Sequence, residues 1–303
     1  MKKAFTLVEL LIVIGIIGVL MSVLLVATSG VSDRAKSVKC EANLKSIATS
    51  INASLMGGSY PFAQSASYIG TDPDGNGVAV GYYVHKGWVS WLDEGAKYPA
   101  GSEPNCTQPS YAGSAEDVNY ALTNGTLWAA VGGRHDCYLC PAHVKACQKK
   151  GVQNPGWSYQ MNAFFGYDSS AGASGDGISA GSLGRAERRL LFAEIPALTL
   201  TSKLTSKTGV TALPDVNLTG GTGVEAMDGC LRYKSLGGSE SIGFNHIQGK
   251  QILGHVVFAD GHVESFAAPK DGNFKELTDW LCLGQDVTFY NGKYDKVDTT
   301  ASE

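Results

Sequence analysis

The sequence has few of the features that mark an enzyme. It contains no phosphate-binding Gly-rich loop and no His-Glu-x-x-His pair, so neither P-loop nucleotide hydrolysis nor common zinc-protease chemistry is indicated. The acidic pairs Asp93-Glu94 and Glu116-Asp117 are adjacent along the chain rather than facing each other. We therefore expect a protein without catalytic residues.

Charged residues are also scarce, at 17% of the chain, and neither sign dominates. The 24 Lys and Arg and the 28 Asp and Glu residues give a net charge of -4, and the basic residues are scattered. Nucleic-acid binding needs a basic patch or stripe, so no nucleic-acid partner is expected. Glycine, in contrast, is frequent. The 38 glycines favour a β-rich, turn-rich body over a helical bundle.

Residues 5–27 form a long apolar run that a single charge, Glu9, interrupts. The run is long enough to span a bilayer, whereas the apolar part of a secretory signal peptide is shorter and ends at a small-residue cleavage site. Here the basic Lys2 and Lys3 and the small Ala4 precede the run. This order predicts a retained single-pass membrane anchor, with the N-terminus on the cytoplasmic side and the rest of the chain outside.

After the two lysines the chain reads Ala4-Phe5-Thr6-Leu7-Val8-Glu9-Leu10-Leu11-Ile12-Val13-Ile14. This segment resembles the N-terminal signature of type IV pilins and type II secretion pseudopilins. In that family a prepilin peptidase cuts just before the Phe and methylates the new amine. The resemblance implies cleavage between Ala4 and Phe5, with other pilin-like subunits as partners. The family usually has Gly at the position of Ala4, and Ala is still small enough for a tight protease subsite.

Glu9 is a candidate assembly residue. An ionisable group near the start of an apolar segment costs roughly a few kcal/mol in lipid unless it is paired or neutralised. The partner that we predict is the amine of Phe5 on a neighbouring subunit, freed by cleavage. Such a pair would set the axial register of each subunit that enters a filament. The alternative is a protonated Glu9 that is tolerated near the membrane interface.

The helical pattern continues beyond the apolar run as an amphipathic helix. Apolar residues recur at steps of three to five positions from Val31 to Leu55, while charged residues take the other faces. Gly57-Gly58 then supplies a stop signal. The predicted organisation is a basic leader at 1–4, a transmembrane or filament-core helix at 5–28, its amphipathic continuation at 29–56 and an extracytoplasmic head at 57–303.

Strand-like stretches in the head predict an α+β fold in which the long helix packs on an antiparallel sheet. They are rich in β-branched and aromatic residues and lie at 82–84, 189–195 and 255–266. A short helix is expected at 117–131, weakened at Gly125. Two segments rich in small residues, 169–184 and 217–223, are expected to be surface loops.

Five further segments stand out: Cys40-Glu41-Ala42-Asn43-Leu44-Lys45, Asn124-Gly125-Thr126-Leu127-Trp128, Cys140-Pro141, Ser158-Tyr159-Gln160-Met161-Asn162, and His246 with Asp260-Gly261. Together they resemble a subgroup of pilin-like proteins whose C-terminal domain is named H-X9-DG for a His and an Asp-Gly pair. Thirteen residues, 247–259, separate His246 from Asp260, more than in the subgroup. A longer hairpin loop at 247–253 would absorb the difference. Asp260-Gly261 itself predicts a two-residue hairpin turn, because Asp-Gly supplies the positive φ angles that such a turn requires.

The string Asp72-Pro73-Asp74-Gly75-Asn76-Gly77 matches the first half of a calcium loop, in which side-chain oxygens alternate along the chain. Asp72, Asp74 and Asn76 are thus candidate calcium ligands. The twelfth position holds Tyr83 instead of the bidentate Glu, so an EF-hand is excluded and a further ligand would come from elsewhere. The alternative is a solvated turn, the commoner fate of Asp, Asn and Gly in series.

Seven cysteines are candidates for disulfides in an oxidising compartment, and their odd number leaves at least one unpaired. Four potential metal donors, Cys137, Cys140, His143 and Cys147, crowd together at spacings that a zinc site could use. An oxidising compartment favours a disulfide over a zinc site. Such a disulfide would join Cys137 or Cys140 to Cys147 or Cys106. The connectivity stays open.

These observations predict a structural subunit of a type IV pilus-like filament or a type II secretion pseudopilus. The subunit would reside in the bacterial inner membrane before it enters a periplasmic or surface filament. Head-to-tail contacts that do not close generate such a filament, and bundled apolar helices provide its cohesion. The alternative is a membrane-anchored protein that binds a glycan or a metal and uses its helix only as a tether. Tyr82, Tyr83, Trp88 and Trp91 are either a glycan-stacking platform or core residues.

Overall fold

The computed structural model describes residues 6–55, 58–63, 80–83, 87–90, 97–99, 115–152, 155–166, 178–214, 229–236 and 238–297, apart from the side chains at 23–29, 80–83, 97–99 and 115–117. The fold is α+β, with an N-terminal helix and a mostly antiparallel sheet. The helices are α1 (Leu7–Ser54), α2 (Ala115–Asn124), α3 (Leu127–Ala130), α4 (Pro141–Lys149), α5 (Ser202–Thr208) and α6 (Phe274–Cys282). The strands are β1 (Val80–Tyr83), β2 (Lys97–Pro99), β3 (Tyr159–Asn162), β4 (Leu190–Glu194), β5 (Cys230–Leu231), β6 (His246–Gln248), β7 (Gln251–Phe258), β8 (Val263–Ala267), β9 (Val287–Tyr290) and β10 (Lys293–Lys296).

The longest element is α1, whose 48 residues extend about 72 Å at a rise of about 1.5 Å per residue. Its second half is amphipathic, as the sequence pattern predicts, and buries one face against the head. The buried residues on that face follow steps of three and four and are Ser37, Cys40, Asn43, Leu44, Ile47, Ala48 and Ile51. The helix ends at Ser54, close to the predicted stop signal.

The first half of α1 is different, because every described side chain from 7 to 22 is exposed. Most of these side chains are apolar, so this part of the helix presents an apolar surface that the head does not cover. Within the residues that the structure describes, none of the helices has the length and apolar content that a membrane crossing needs.

The main sheet of the head has six strands, in the order β5-β3-β4-β7-β6 with β8 paired to β7. Its pairs are antiparallel except for β3 with β5, which run parallel. One edge of β7 is shared by two strands, since β6 pairs with its start and β4 with its end. Two smaller antiparallel pairs, β1 with β2 and β9 with β10, stand apart from this sheet. The buried half of α1 contacts β4, β6, β7 and β8 and so covers the sheet.

The strand-like stretch at 255–266 forms the hairpin that Asp260-Gly261 predicts, and β7 and β8 are its two strands. The loop between them is not the predicted two-residue turn but a three-residue loop, Ala259 to Gly261. The backbone N–H of Gly261 donates to the carbonyl of Phe258 at 2.8 Å, and the backbone N–H of Phe258 donates to the carbonyl of His262 at 2.9 Å. Gly261 has a φ of 89°, which glycine adopts without strain and which closes this type of loop.

The extra residues between His246 and Asp260 form a second hairpin, as predicted, in which β6 and β7 are joined through Gly249 and Lys250. His246 pairs with Leu253 at one end of this hairpin. Asp260 lies beyond the other end of β7, at least five strand residues or about 16 Å further along. The two residues that define the H-X9-DG motif are therefore not in contact.

Gly125 divides the predicted helix at 117–131 into α2 and α3. The position requires glycine because the backbone of Trp88 passes close to Gly125, not because the helix must be flexible there. A Cβ atom at this position would clash with the backbone carbonyl of Trp88. Trp88 itself is fully buried, and its indole N–H donates to the carbonyl of Gly229 at 2.9 Å. Its proposed part in a glycan-stacking platform is therefore wrong, and Trp88 is a core residue.

Candidate functional site

The N-terminus of α1 carries a capping box built from Thr6 and Glu9. The carboxylate of Glu9 accepts from the backbone N–H of Thr6 at 2.9 Å and from its hydroxyl at 2.8 Å. The hydroxyl oxygen of Thr6 accepts in turn from the backbone N–H of Glu9 at 3.3 Å. This reciprocal pair satisfies donors that a helix start leaves free. It also turns the Glu9 carboxylate toward the start of the chain. Ala4 and Phe5, the predicted processing residues, lie outside the described part of the chain.

The head contains a second constellation, a buried cluster of four potential metal donors. They are Cys40 in the second half of α1, Cys140 just before α4, Glu194 at the end of β4 and His246 at the start of β6. One donor atom of each residue lies within 4.8 Å of the donor atoms of the other three. All four residues are at most 1% exposed.

Local sequence explains how these side chains reach the same place. Pro141 occupies the first turn of α4, where its missing N–H costs nothing, and so fixes the extended residue Cys140 as the helix cap. β4 reads Leu-Leu-Phe-Ala-Glu and is buried along its whole length, which carries Glu194 into the interior. Cys40 lies on the face of α1 that packs on the sheet.

The contacts within the cluster are short. The Sγ of Cys40 donates to Oε1 of Glu194 at 3.1 Å, and Nε2 of His246 lies 3.0 Å from the same oxygen. The Sγ of Cys140 lies 3.3 Å from Nε2 of His246. The other ring nitrogen of His246, Nδ1, has no hydrogen-bond partner among the described residues, and the ring packs against that of His255 with the centroids 4.4 Å apart.

A shell of polar groups surrounds the Glu194 carboxylate. The side-chain amide of Asn245 donates to Oε2 at 2.8 Å, and the backbone N–H of His255 donates to Oε1 at 3.1 Å. Asn245 is itself fixed, because its Oδ1 accepts from the backbone N–H groups of Ala197 and Leu198 at 3.1 Å each. Tyr159 donates its hydroxyl to the Sγ of Cys40 at 3.5 Å.

Glu194 and His246 form a buried ion pair. Burial by itself would raise the pKa of Glu194, but the His246 imidazole outweighs it and holds that pKa at about 2. Burial would lower the pKa of His246, but the Glu194 carboxylate outweighs it and raises that pKa to about 10. Burial would raise the pKa of the Cys140 thiol, but the hydrogen bonds with Cys40 and His246 outweigh it and lower that pKa to about 7.

Residues 1–25 match the prokaryotic N-terminal methylation motif. This motif is a prepilin peptidase cleavage signal, and it supports a pilin-like or pseudopilin subunit. Neither a curated protein nor a solved structure matches the chain.

The cysteines do not pair as expected. All six described cysteines are free thiols, and Cys106 lies outside the described residues. The predicted link from Cys137 or Cys140 to Cys147 is absent, because the thiols point to other partners. Cys140 faces His246, while Cys147 faces the ring of His143 at 3.5 Å.

The four donors Cys137, Cys140, His143 and Cys147 do not come together as one predicted zinc set either. Only Cys140 enters the buried cluster. His143 is buried and its Nδ1 lies 2.9 Å from the hydroxyl of Ser158. Sequence reasoning missed Glu194, and the signal that was present is an acidic residue at the end of an otherwise apolar strand.

The remaining predicted sites have other outcomes. The candidate calcium ligands Asp72, Asp74 and Asn76 fall outside the residues that the structure describes. Asp260 accepts from its neighbour His262 at 2.7 Å to the ring Nδ1 and 3.0 Å to the backbone N–H, which stabilises the loop next to Gly261. This contact is structural.

A Gly-x-Ser-x-Gly string is present at 177–181, with Ser179 at its centre. A nucleophile elbow places such a serine on a sharp turn between a strand and a helix. Ser179 instead forms an isolated backbone bridge with Ser59 and precedes a single 3-10 turn. Among the described residues, no histidine or carboxylate contacts its hydroxyl. The string therefore does not have the geometry of a hydrolase site.

Proposed function

We propose that this chain is a pilin-like subunit of a filament, and we favour a type II secretion pseudopilus over a type IV pilus because of its large head. The observation that carries the proposal is the match of residues 1–25 to the methylation motif. A prepilin peptidase would cut before Phe5 and methylate its amine. The mature subunit would then start one residue before the cap of α1.

The division of α1 into two halves supports an assembly role. The face from Ser37 to Ile51 is packed against the head, whereas the described side chains at 7–22 are exposed and mostly apolar. An apolar surface of this extent marks a contact with a membrane or with other proteins. In the proposal it anchors the subunit in the bacterial inner membrane, with the N-terminus cytoplasmic and the head outside. After assembly it packs against the same segment of neighbouring subunits.

The capping box supports a role for Glu9 in this assembly. Its carboxylate already accepts from Thr6, but a carboxylate offers about four acceptor positions in total. A neighbouring subunit's methylated Phe5 amine could thus bind without breaking the cap. The exposed position of Glu9 leaves the approach open.

The experiment that tests this function compares Glu9→Gln with Asp33→Asn in the native host. Both variants remove one carboxylate from α1, but Asp33 lies nearer the head and pairs with Lys36. We expect the yield of sheared, pelletable filaments to fall at least about tenfold in Glu9→Gln, which corresponds to the loss of about 1.4 kcal/mol per contact. Asp33→Asn should assemble normally. Wild-type filament yield from Glu9→Gln would contradict the proposal.

The second candidate function is a tethered binding protein, which the buried four-donor cluster favours. The cluster is closed to solvent, however, so it is suited to holding an ion permanently rather than to capturing and releasing one. Under this alternative, Glu9→Gln would leave the function unchanged. The assembly experiment thus distinguishes the two.

A further inference from the structure

We propose that Cys40, Cys140, Glu194 and His246 bind one structural zinc ion that joins the long helix to the head. The proposal concerns the head alone and does not depend on filament assembly. It differs from the zinc set that the sequence offered as an alternative to a disulfide, with which it shares only Cys140.

The donor types select the metal. Two thiol sulfurs, one imidazole nitrogen and one carboxylate oxygen are all ligands that zinc accepts in four-coordinate sites. Calcium and magnesium require oxygen ligands, so the two sulfurs exclude them. Because all four residues are buried, no position is left open for water or a substrate. The ion would therefore be structural rather than catalytic.

The distances also fit. Zinc bonds of about 2.0 to 2.3 Å give tetrahedral edges of about 3.3 to 3.8 Å between ligand atoms. Three of the contacts in the cluster are 3.0, 3.1 and 3.3 Å, and no pair of donor atoms is more than 4.8 Å apart. Small side-chain shifts would therefore place all four donors around one ion.

The surroundings complete the site. Metal ligands are usually oriented by hydrogen bonds from outside the coordination sphere. Here Asn245 donates to the free oxygen of Glu194, and Tyr159 donates to the sulfur of Cys40. Zinc binds cysteine as the thiolate and histidine as the neutral imidazole, so all four ligands would coordinate in their deprotonated forms. The resulting site of two thiolates, one carboxylate and Zn²⁺ has a charge of -1, which these donors stabilise.

The topology gives the ion a role. Its ligands belong to four different elements, and the two that are nearest in sequence, Glu194 and His246, are still 52 positions apart. An ion held in this way closes long loops in the unfolded chain and so contributes directly to folding. Cys40 is the ligand on α1. The ion would therefore fasten α1 to the sheet near the start of its buried face, which runs from Ser37 to Ile51.

The first measurement uses the wild-type full chain, purified in detergent with a tag that contains no histidine and without chelators. We expect one zinc per chain by elemental mass spectrometry, retained against a chelator in the native state and released on unfolding. X-ray absorption at the zinc edge should show two sulfur and two lighter ligands. This measurement needs no variant, so it stands even where a ligand substitution prevents folding.

The second measurement compares two matched variants. Cys40→Ala removes a ligand of the structural cluster, whereas Cys147→Ala removes a buried cysteine that belongs only to the set expected from the sequence. We expect zinc content to fall at least about tenfold in Cys40→Ala and to stay at one ion per chain in Cys147→Ala.

Four results would overturn the proposal. They are zinc content below about 0.1 ion per wild-type chain even after refolding with added Zn²⁺, a Cys40–Cys140 disulfide in the native protein, three sulfur ligands at the zinc edge, or loss of zinc from Cys147→Ala with none from Cys40→Ala.

Discussion

The side-chain amide of Asn52, near the end of α1, donates a hydrogen bond of 3.1 Å to the carbonyl oxygen of Ala259, in the loop between β7 and β8. Two turns earlier, the ammonium group of Lys45 donates one of 2.7 Å to the carbonyl of Gly261. The Asp-Gly loop therefore serves as a docking point for α1. Its backbone carbonyls, rather than the Asp260 side chain, make the contact.

Loss of this contact should loosen the helix from the head. We expect Asn52→Ala to lower the free energy of unfolding by about 1–2 kcal/mol, because the carbonyl of the buried Ala259 loses its nearest donor. The exposed Thr49→Ala, one turn away, is the matched control and should stay within about 0.5 kcal/mol of wild type. Denaturant unfolding of the full chain in detergent measures both. Equal stability of the two variants would show that the loop does not hold the helix.

The buried face of α1 should account for more of the stability than these hydrogen bonds. Leu44 is fully buried, and Leu44→Ala is expected to cost about 2–5 kcal/mol because it leaves a cavity between helix and sheet. Val38 on the same helix is 57% exposed, and Val38→Ala should cost less than about 0.5 kcal/mol. The same unfolding assay gives the comparison. A cost below about 2 kcal/mol for Leu44→Ala, the lower end of this range, would mean that α1 is not docked as described.

His143 should make stability depend on pH. Burial lowers the pKa of its imidazole to about 3, whereas the unfolded chain titrates near about 6.5. The unfolded state thus binds a proton that the folded state does not, and the free energy of unfolding falls as the pH drops below about 6.5. His143→Gln removes this proton. Between pH 7 and pH 5, the free energy of unfolding should therefore fall by about 2 kcal/mol less in His143→Gln than in the wild type. Parallel curves for the two proteins would contradict a buried neutral His143.

Much of the fold follows from local sequence patterns. The spacing of apolar residues from Val31 to Leu55 gave the buried face of α1 because a helix places positions three and four apart on one side. Gly125 marked the break between α2 and α3, and Asp260-Gly261 marked the hairpin. The loop length was wrong, since Asp-Gly closes three-residue as well as two-residue loops.

The buried cluster could not be derived in the same way. Cys40 and Glu194 are 154 positions apart, and they meet only because α1 covers the end of β4. Proximity along the chain pointed instead to Cys137, His143 and Cys147, whose spacing suits a metal. Cys147 does lie 3.5 Å from the ring of His143, but none of these three residues belongs to the buried cluster. The positions of metal donors here depend on the order of strands in the sheet, which no local pattern specifies.

The account as a whole depends on processing of the N-terminus, and mass analysis of the mature chain tests it most directly. Protein isolated from the native membrane should begin at Phe5 and carry one methyl group on its α-amine, and it should begin at Met1 in a strain without prepilin peptidase. An intact, unmethylated Met1 terminus in the wild-type strain would contradict the assignment as a pilin-like subunit.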